Sequence, residues 1–150
     1  MATQTAQVPH LGGITVSYRA SQYDPSKPTL VLAHSFMTSS GLYDAQFSSA
    51  SITGTANLIA VDLLGHGGTK VNSGVEQFTY WDSSIMILQL LDHLKVNKFF
   101  ALGTSQGGWI VTRLALLAPA RVCIVSSLLS LIVFPNIWLI LVCRFQALSP

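Results

Sequence analysis

Short apolar runs alternate with longer amphipathic stretches over most of the chain. Residues 29–33 (TLVLA) and 57–61 (NLIAV) are continuous apolar runs, and each is followed at once by a polar residue, His34 or Asp62. Runs of this kind are typical of strands that are buried on both faces of a parallel sheet. Residues 13–19 instead alternate apolar and polar side chains, which predicts a half-exposed strand in an edge hairpin.

Helical spacing follows in the second half of the chain. Between residues 78 and 94 apolar side chains recur at helical spacing, and Asp92 and His93 are left for the wetter side. A second apolar stripe follows residue 106 and ends before Pro119, as expected of a helix that stops at a proline. The two stripes consist of Ile87, Leu90, Leu91 and Leu94, then Trp109, Ile110, Val111, Leu114, Leu117 and Ala118. Because strands and helices alternate, the sequence predicts an α/β fold.

Composition narrows the range of functions. The chain has 150 residues, enough for one globular core, and its eight Lys and Arg against six Asp and Glu give a formal charge of +2. The charges are scattered along the chain, so nucleic acid is not an expected partner. The two cysteines, Cys123 and Cys143, form no CxxC pair. We therefore expect neither a metal site nor another cofactor, and the oligomeric state stays open.

The most informative motif is GxSxG at residues 103–108 (GTSQGG). It lies between the apolar run 99–102 and the second helical stripe. In that context the serine lies on a sharp turn from strand to helix, with its hydroxyl projecting from the sheet. Ser105 is therefore a candidate nucleophile, and Gly103 and Gly107 flank it because side chains at those positions would collide.

Acyl transfer also needs N–H donors for the oxyanion, a base, and a residue that orients the base. Ligands of open parallel sheets bind beyond the carboxyl ends of the strands, and residues after three of the predicted strands reach that edge. We expect the backbone N–H groups of Phe36 and Gln106 to form the oxyanion hole. His34 is either a loop residue only or a base that reaches Ser105 from the adjacent strand end.

Three segments together resemble the α/β-hydrolase fold superfamily, in the family's order and spacing. They are residues 30–34 (LVLAH), 62–67 (DLLGHG) and 103–108 (GTSQGG). The resemblance covers most of residues 13–121. It implies the amino-terminal portion of a mostly parallel sheet with flanking helices, and a serine hydrolase that acts on a small-molecule acyl substrate. It also implies that Asp62 and His66 shape the loops beside the site.

A narrower resemblance concerns residues 34–38 (HSFMT), 80–82 (YWD) and 103–109 (GTSQGGW). These segments are similar to fungal hydrolases of secondary-metabolite and host-selective toxin pathways. An ester or thioester of a polyketide-like or fatty-acid-like metabolite is the substrate that this resemblance implies. Ser35 departs from the superfamily, where glycine is common between the histidine and the oxyanion residue, but serine is ordinary in the narrower group.

The two ends of the sequence bear on location. Residues 1–10 have neither the basic flank nor the apolar core of a secretory signal peptide. Toxin-pathway relatives often end in a peroxisomal tripeptide, whereas this chain ends in Leu148-Ser149-Pro150. We expect a cytoplasmic or peroxisomal protein that is not secreted.

The other two members of a catalytic triad are missing from the sequence. Superfamily enzymes place the acid and then the histidine after the nucleophile, but no Asp, Glu or His follows Ser105. Loss of the base alone costs about a millionfold in turnover in a well-studied serine hydrolase. The sequence therefore predicts a nearly inactive chain. The alternative to a serine hydrolase is a non-catalytic remnant, truncated or associated with a membrane.

The composition changes after Arg121. Residues 122–142 carry no charged side chain and are long enough to span a membrane. Three interpretations are open: a transmembrane helix, a continuation of the sheet, and a foreign sequence translated in frame. Several serines and Pro135 disfavour the transmembrane helix. The absence of a turn signal before that proline disfavours a continuation of the sheet.

We therefore expect a partial hydrolase domain at residues 1–121 and a non-homologous apolar tail at residues 122–150. Relatives continue after the matching Ala-Pro-x-Arg with a strand and a polar turn, which this tail does not reproduce. Val122-Cys123 is moreover what the opening of many fungal introns would encode, so we favour a retained intron or an equivalent truncation. The strands after the second helix would then be lost, and the chain would fold poorly.

Overall fold

In a computed structural model, residues 2–128 and 139–142 are described, with side chains for residues 2–123. The strands are β1 (Gln4–Val8), β2 (Ile14–Ala20), β3 (Thr29–Ala33), β4 (Asn57–Val61), β5 (Lys70–Val71), β6 (Phe99–Thr104), β7 (Val122–Leu128) and β8 (Leu139–Val142). The α-helices are α1 (Asp44–Ser48), α2 (Ala50–Thr55), α3 (Tyr80–His93) and α4 (Gln106–Leu117). Short 3₁₀ helices lie at His10–Gly12 and Ser40–Tyr43.

The strands form one mixed sheet in the order β1-β2-β4-β3-β6-β7-β8, and β5 pairs with β2. The strands β4, β3, β6 and β7 run parallel to one another, whereas β1, β2, β5 and β8 pair antiparallel with their neighbours. The predicted α/β fold is confirmed. Both continuous apolar runs are strands with the predicted bounds, and every residue of β4 is buried.

Register places three loops side by side. Ala33, at the end of β3, is paired with Val61 at the end of β4 and with Gly103 near the end of β6. The segments that follow these strands therefore emerge together at one edge of the sheet, which we call the carboxyl edge. This is where an open parallel sheet binds its ligands.

The prediction for residues 13–19 is wrong in its burial. β2 lies inside the sheet between β1 and β4, and nearly all of it is buried. Its polar side chains are covered because residues of other segments bind them: the Ser17 hydroxyl donates to Asp62 at 2.8 Å, and Arg19 pairs with Asp44, the first residue of α1. Alternating polarity thus marks partnered polar groups here rather than exposure to solvent.

The two helices pack on the sheet through their apolar stripes. In α3, Ile87, Leu90 and Leu91 are fully buried, as predicted. In α4, only the middle of the predicted stripe is buried: Trp109 is 50% and Leu117 43% exposed, so the prediction is wrong at both ends. These two residues lie in the first and the last turn of the helix, where the sheet does not cover them.

The sheet continues beyond the second helix. Val122–Leu128 forms β7, parallel to β6, and Leu139–Val142 forms β8, antiparallel to β7. The expectation that every strand after α4 is lost is therefore wrong, and β6 is not an open edge. No helix in the described part of the chain is long and apolar enough to cross a membrane. The remainder of the predicted tail, residues 129–138 and 143–150, lies outside the described residues.

Candidate active site

Ser105 lies at a sharp turn between β6 and α4. Its backbone dihedrals are φ 53° and ψ −112°, and it is the N-cap of α4 without donating or accepting a capping hydrogen bond through its side chain. A non-glycine residue in this region costs of order 1–3 kcal/mol and is found where the surroundings impose it. The half-buried Ser105 is thus held in the strained turn that the GxSxG pattern predicts.

The surroundings that impose this turn are contacts at the two flanking glycines. A Cβ atom on Gly103 would lie 2.2 Å from the carbonyl carbon of Gly107. A Cβ atom on Gly107 would lie 1.9 Å from the carbonyl oxygen of Ala33 and 2.9 Å from that of His34. The first turn of α4 therefore packs directly on the end of β3. Only glycine allows this approach, as the sequence predicted.

The loop after β3 is tied to the turn. The Ser35 hydroxyl donates a 3.4 Å hydrogen bond to the carbonyl oxygen of Thr104, the residue before the candidate nucleophile. The Thr38 N–H donates to the Ser35 carbonyl at 3.3 Å, which closes a tight turn. Met37 has φ 59° within this turn, and the ring of Phe36 is 63% exposed.

The two expected oxyanion donors lie in these adjoining segments. Gln106 is the first residue of α4, where backbone N–H groups have no acceptor within the helix. Phe36 is the second residue after the histidine that follows β3. Among the hydrogen bonds of the described residues, other than those within helices and strands, neither N–H is a donor. Both groups are therefore available to a bound oxygen atom, and the positive end of the α4 dipole adds to their field.

His34 is a buried structural residue. Its Nε2 accepts the Leu63 N–H at 3.0 Å, and its Nδ1 lies 2.7 Å from the carbonyl oxygen of Ser35 and 3.2 Å from the hydroxyl of Thr38. Burial lowers the pKa of its imidazole, so the ring is neutral at physiological pH. Since both ring nitrogens are engaged within the loops, neither is left to take a proton from Ser105.

Asp62 organises the loop after β4. Its carboxylate accepts hydrogen bonds from the Ser40 N–H at 2.7 Å, the Ser17 hydroxyl at 2.8 Å and the Gly68 N–H at 2.9 Å. Burial opposes its charge, but the bonds from Gly68, Ser40 and Ser17 outweigh burial, and the pKa of the carboxyl lies below its ordinary value. An ionised Asp62 therefore joins β2 to the two loops at the carboxyl edge.

His66 faces the loop that carries Phe36. Its Nε2 accepts the Met37 N–H at 3.2 Å, and its Nδ1 lies 2.9 Å from the carbonyl oxygen of Leu64. The ring of Phe36 packs edge-on against it at 5.6 Å between centroids. The structure thus brings His34, Asp62 and His66 to the same edge as Ser105, but in contacts between loops.

The two remaining histidines, His10 and His93, make no described hydrogen bond to the residues around Ser105. His10 pairs with Asp82 at 2.8 Å, and His93 is exposed in the last turn of α3. Among the residues with described side chains, no three His, Cys, Asp or Glu groups are placed to hold a metal ion. The described side chains of His10, His34 and His66 bond to groups other than Ser105.

Comparison with known proteins agrees with this geometry. Residues 28–131 match the family profile of the alpha/beta hydrolase fold. The chain belongs to the α/β-hydrolase family. The match continues past Arg121 through β7, so the hydrolase region extends at least as far as that strand.

Several relatives of this α/β hydrolase are known. A hydrolase from Pseudomonas aeruginosa PA01 superposes with a TM-score of 0.70 at 30% identity, covering 81% of this chain and 44% of that one. A carboxylesterase from Nitrososphaera gargenis gives 0.74 at 23% identity, covering 83% and 44%. The dihydrolipoyllysine-residue acetyltransferase component of the acetoin cleaving system of Pseudomonas putida is 34% identical over 101 residues, 67% of this chain and 26% of that protein. The chain therefore spans less than half the length of these relatives.

One residue beside the Ser105 turn has no signal in the sequence pattern. Tyr43 is buried, and its hydroxyl donates to the carbonyl oxygen of Ala33 at 2.8 Å and lies 3.4 Å from the Thr104 hydroxyl. It thus connects the ends of β3 and β6 beneath the loop. Tyr43 belongs to a short 3₁₀ helix, and such a short segment has no apolar period that would single it out.

Proposed function

We propose that this chain is the nucleophile-bearing part of a serine acyl hydrolase, with Ser105 as the residue that is acylated. The observation that carries the proposal is the strained turn that Gly103 and Gly107 impose on the half-buried Ser105, at the edge of the sheet where the loop after β3 is bonded to Thr104. Strain of this kind persists where it serves a site. The esterases and hydrolases among its structural relatives support the assignment.

The proposed reaction has two steps. In acylation, the Ser105 oxygen attacks the carbonyl carbon, and the bond from that carbon to the leaving oxygen or sulfur breaks. The serine proton passes to solvent and the leaving group departs as an alcohol or thiol. The N–H groups of Phe36 and Gln106 stabilise the oxyanion, each contributing about 3–4 kcal/mol. Water then attacks the acyl-serine and releases the acid.

In this proposal the Ser105 hydroxyl is the nucleophile and two backbone N–H groups are the oxyanion donors, but no described side chain is hydrogen-bonded to Ser105 as a base would be. His34 and His66 accept backbone N–H groups, and no acid or histidine follows Ser105 in the sequence. Because a base contributes to both steps, we propose that this chain acylates slowly and turns over very little. The competing proposal is a non-catalytic remnant, which the missing base favours.

Substrate class and location are proposed from the resemblance alone. The segments around His34, Trp81 and Ser105 favour an ester or thioester of a polyketide-like or fatty-acid-like metabolite in a fungal toxin pathway. The relatives reported above come from bacteria and an archaeon. From the same fungal resemblance we propose a cytoplasmic or peroxisomal location.

We also propose that unrelated sequence joins the hydrolase region after residue 131. The family match to that residue and the pairing of β7 with β6 support a junction beyond Arg121 rather than at it. Transcripts mapped across the codons for residues 121–150 test this. Spliced reads that skip the tail are expected, and reads that run through without interruption would count against it.

An activated ester tests the catalytic proposal. We expect incubation with p-nitrophenyl butyrate to add one butyryl group to Ser105, detected by intact mass and peptide mapping, with release much slower than acylation. Ser105→Ala should remain unmodified, and Ser39→Ala, in the neighbouring loop, should behave as the parent. Fast multiple turnover would contradict the missing base, and acylation elsewhere in the chain would contradict the role of Ser105.

A further inference from the structure

The two loops at the carboxyl edge are joined by reciprocal hydrogen bonds, in which a histidine of each loop accepts a backbone N–H of the other. His34, after β3, accepts the N–H of Leu63 at 3.0 Å, and His66, after β4, accepts the N–H of Met37 at 3.2 Å. The two rings meet edge-to-face with centroids 5.2 Å apart. Each ring approaches a carbonyl oxygen of its own loop with its other nitrogen. Both hydrogen bonds form only when the Nε2 atom of each histidine is unprotonated and can accept.

The bond from Met37 holds a strained part of the loop. Met37 has φ 59°, and its side chain is 83% exposed, so no packing of that side chain fixes the conformation. A positive φ is unfavourable for a residue with a Cβ atom. The contacts that retain it are the turn bond from Thr38 to Ser35 and the bond from Met37 to His66.

Phe36 is held by the same histidine. The N–H of Met37 and the carbonyl of Phe36 share one rigid peptide plane, so the bond to His66 fixes that plane. The Phe36 ring also packs against the His66 ring at 5.6 Å. His66 therefore constrains both the backbone and the side chain of the residue whose N–H is the expected oxyanion donor.

We propose that His66 is a positioning residue that holds the Phe36 N–H in the oxyanion hole while its imidazole is neutral, and that protonation of the imidazole releases the loop. The role of the Phe36 N–H rests on the proposed function, whereas the hydrogen bond to Met37 does not. A protonated Nε2 carries a hydrogen atom and cannot accept one, so the Met37 N–H loses its partner.

Two titratable groups lie in the same two loops as His66. The His34 ring faces it, but burial lowers the pKa of His34, so that ring stays neutral. The Asp62 carboxylate lies in the same loop and is held by Ser17, Ser40 and Gly68. His66 is only half-buried, and water reaches it.

Hydrogen exchange of the whole 150-residue chain in dilute solution tests this, read by mass spectrometry on peptides covering residues 35–39. After correction for intrinsic rates, we expect protection of Met37 to fall roughly fivefold between pH 8 and pH 5. His66→Gln, whose amide oxygen does not titrate in this range, should remove the pH dependence. His66→Phe should lack the protection throughout, while the exposed His93→Gln should match the parent.

Protection of the β4 amides shows whether each variant is folded, and if His66→Phe unfolds, the profile of His66→Gln decides. Unchanged protection in folded His66→Phe, or a parent profile independent of pH, would overturn the inference. Labelling of Ser105 by a serine-directed phosphonate in the same samples separates the two proposals. If exchange of the loop depends on pH but Ser105 is not labelled, the hydrogen bond from Met37 to His66 is supported and the proposed hydrolase function is refuted. Labelling with a pH profile that His66→Gln leaves unchanged refutes the positioning role.

Discussion

The turn at Ser105 is possible because backbone segments come very close to each other at two glycines. The first turn of α4 touches the end of β3 at Gly107, and the end of β6 touches α4 at Gly103. Both contacts are closer than any side chain permits. The sequence pattern predicted the two glycines, but only the structure names their partners, because contacts between β3 and α4 join residues far apart in the chain.

Replacing Gly107 with alanine should destabilise the fold. The added methyl group would lie 1.9 Å from the carbonyl oxygen of Ala33, so the backbone must move, and we expect a loss of about 3 kcal/mol or more. Urea unfolding followed by circular dichroism measures the free energy. The control is Gly54→Ala in α2, where a Cβ atom meets nothing within 4 Å and helix propensity predicts a small gain. Equal effects at the two sites would refute the close approach.

Asp62 makes stability depend on pH. Its hydrogen bonds outweigh burial and hold the pKa of its carboxyl below the ordinary value, so it contributes stability above the ordinary pKa of aspartate. That stability is lost as pH falls through the pKa of the folded state. Asp62→Asn should cost about 2 kcal/mol at pH 7 and less at pH 3.

The matched control is Asp92→Asn. Asp92 is largely exposed and pairs with Arg121 at the surface, so its replacement should change the free energy of unfolding by under about 1 kcal/mol. Parallel unfolding curves for the two variants at pH 7 and pH 3 make the comparison. If the cost of Asp62→Asn were independent of pH, the ionised carboxylate could not be the source of the stability.

Among the elements, α3 begins with a complete capping box. The Thr79 hydroxyl accepts from the N–H groups of Trp81 and Asp82, and the Asp82 carboxylate accepts from the Thr79 N–H at 2.6 Å. Thr79→Ala should therefore lower the free energy of unfolding by about 1 kcal/mol. Thr55→Ala, at the exposed end of α2, is the control and should change it by a few tenths. An equal loss in both variants would contradict the cap.

Elements with long or continuous apolar patterns were predictable, and the shorter ones were not. β3 and β4 have the predicted bounds because buried parallel strands need apolar side chains on both faces. β5, α1 and α2 have two, five and six residues, too few for a period to show. The burial of β2 was missed because Asp62, which covers Ser17, lies 45 residues away in sequence.

At the scale of the whole molecule, one face of the sheet has an apolar cavity of about 460 Å³. It lies between the α1–α2 segment and the strands, and its lining includes Leu30, Leu42, Leu58 and Leu102. Poor folding was expected from the loss of strands after α4, a premise that β7 and β8 overturn. The association expected here rests on this apolar cavity instead. We expect sedimentation velocity to show self-association that increases with concentration. A monomer at every concentration, with one cooperative unfolding transition, would contradict this.

The site as a whole was predictable only in part. Ser105, Phe36 and Gln106 were expected at the carboxyl edge because the family's motifs have a fixed order, and the structure gives their segments adjoining positions. The contacts of His34 and His66 could not be predicted, because each depends on the backbone of the other loop. No acid or histidine follows Ser105 in the sequence, and among the described residues His34 and His66 accept backbone N–H groups of the loops.

The central claim is that Ser105 is a nucleophile in a formed oxyanion site, and a fluorophosphonate tests it most directly. This reagent is activated enough to react without an efficient base, so prolonged incubation should add one phosphonyl group per chain. We predict that peptide mapping places it on Ser105 and that Ser105→Ala remains unlabelled. A folded parent that acquires no label, or a Ser105→Ala variant that is labelled as fast as the parent, would contradict the account.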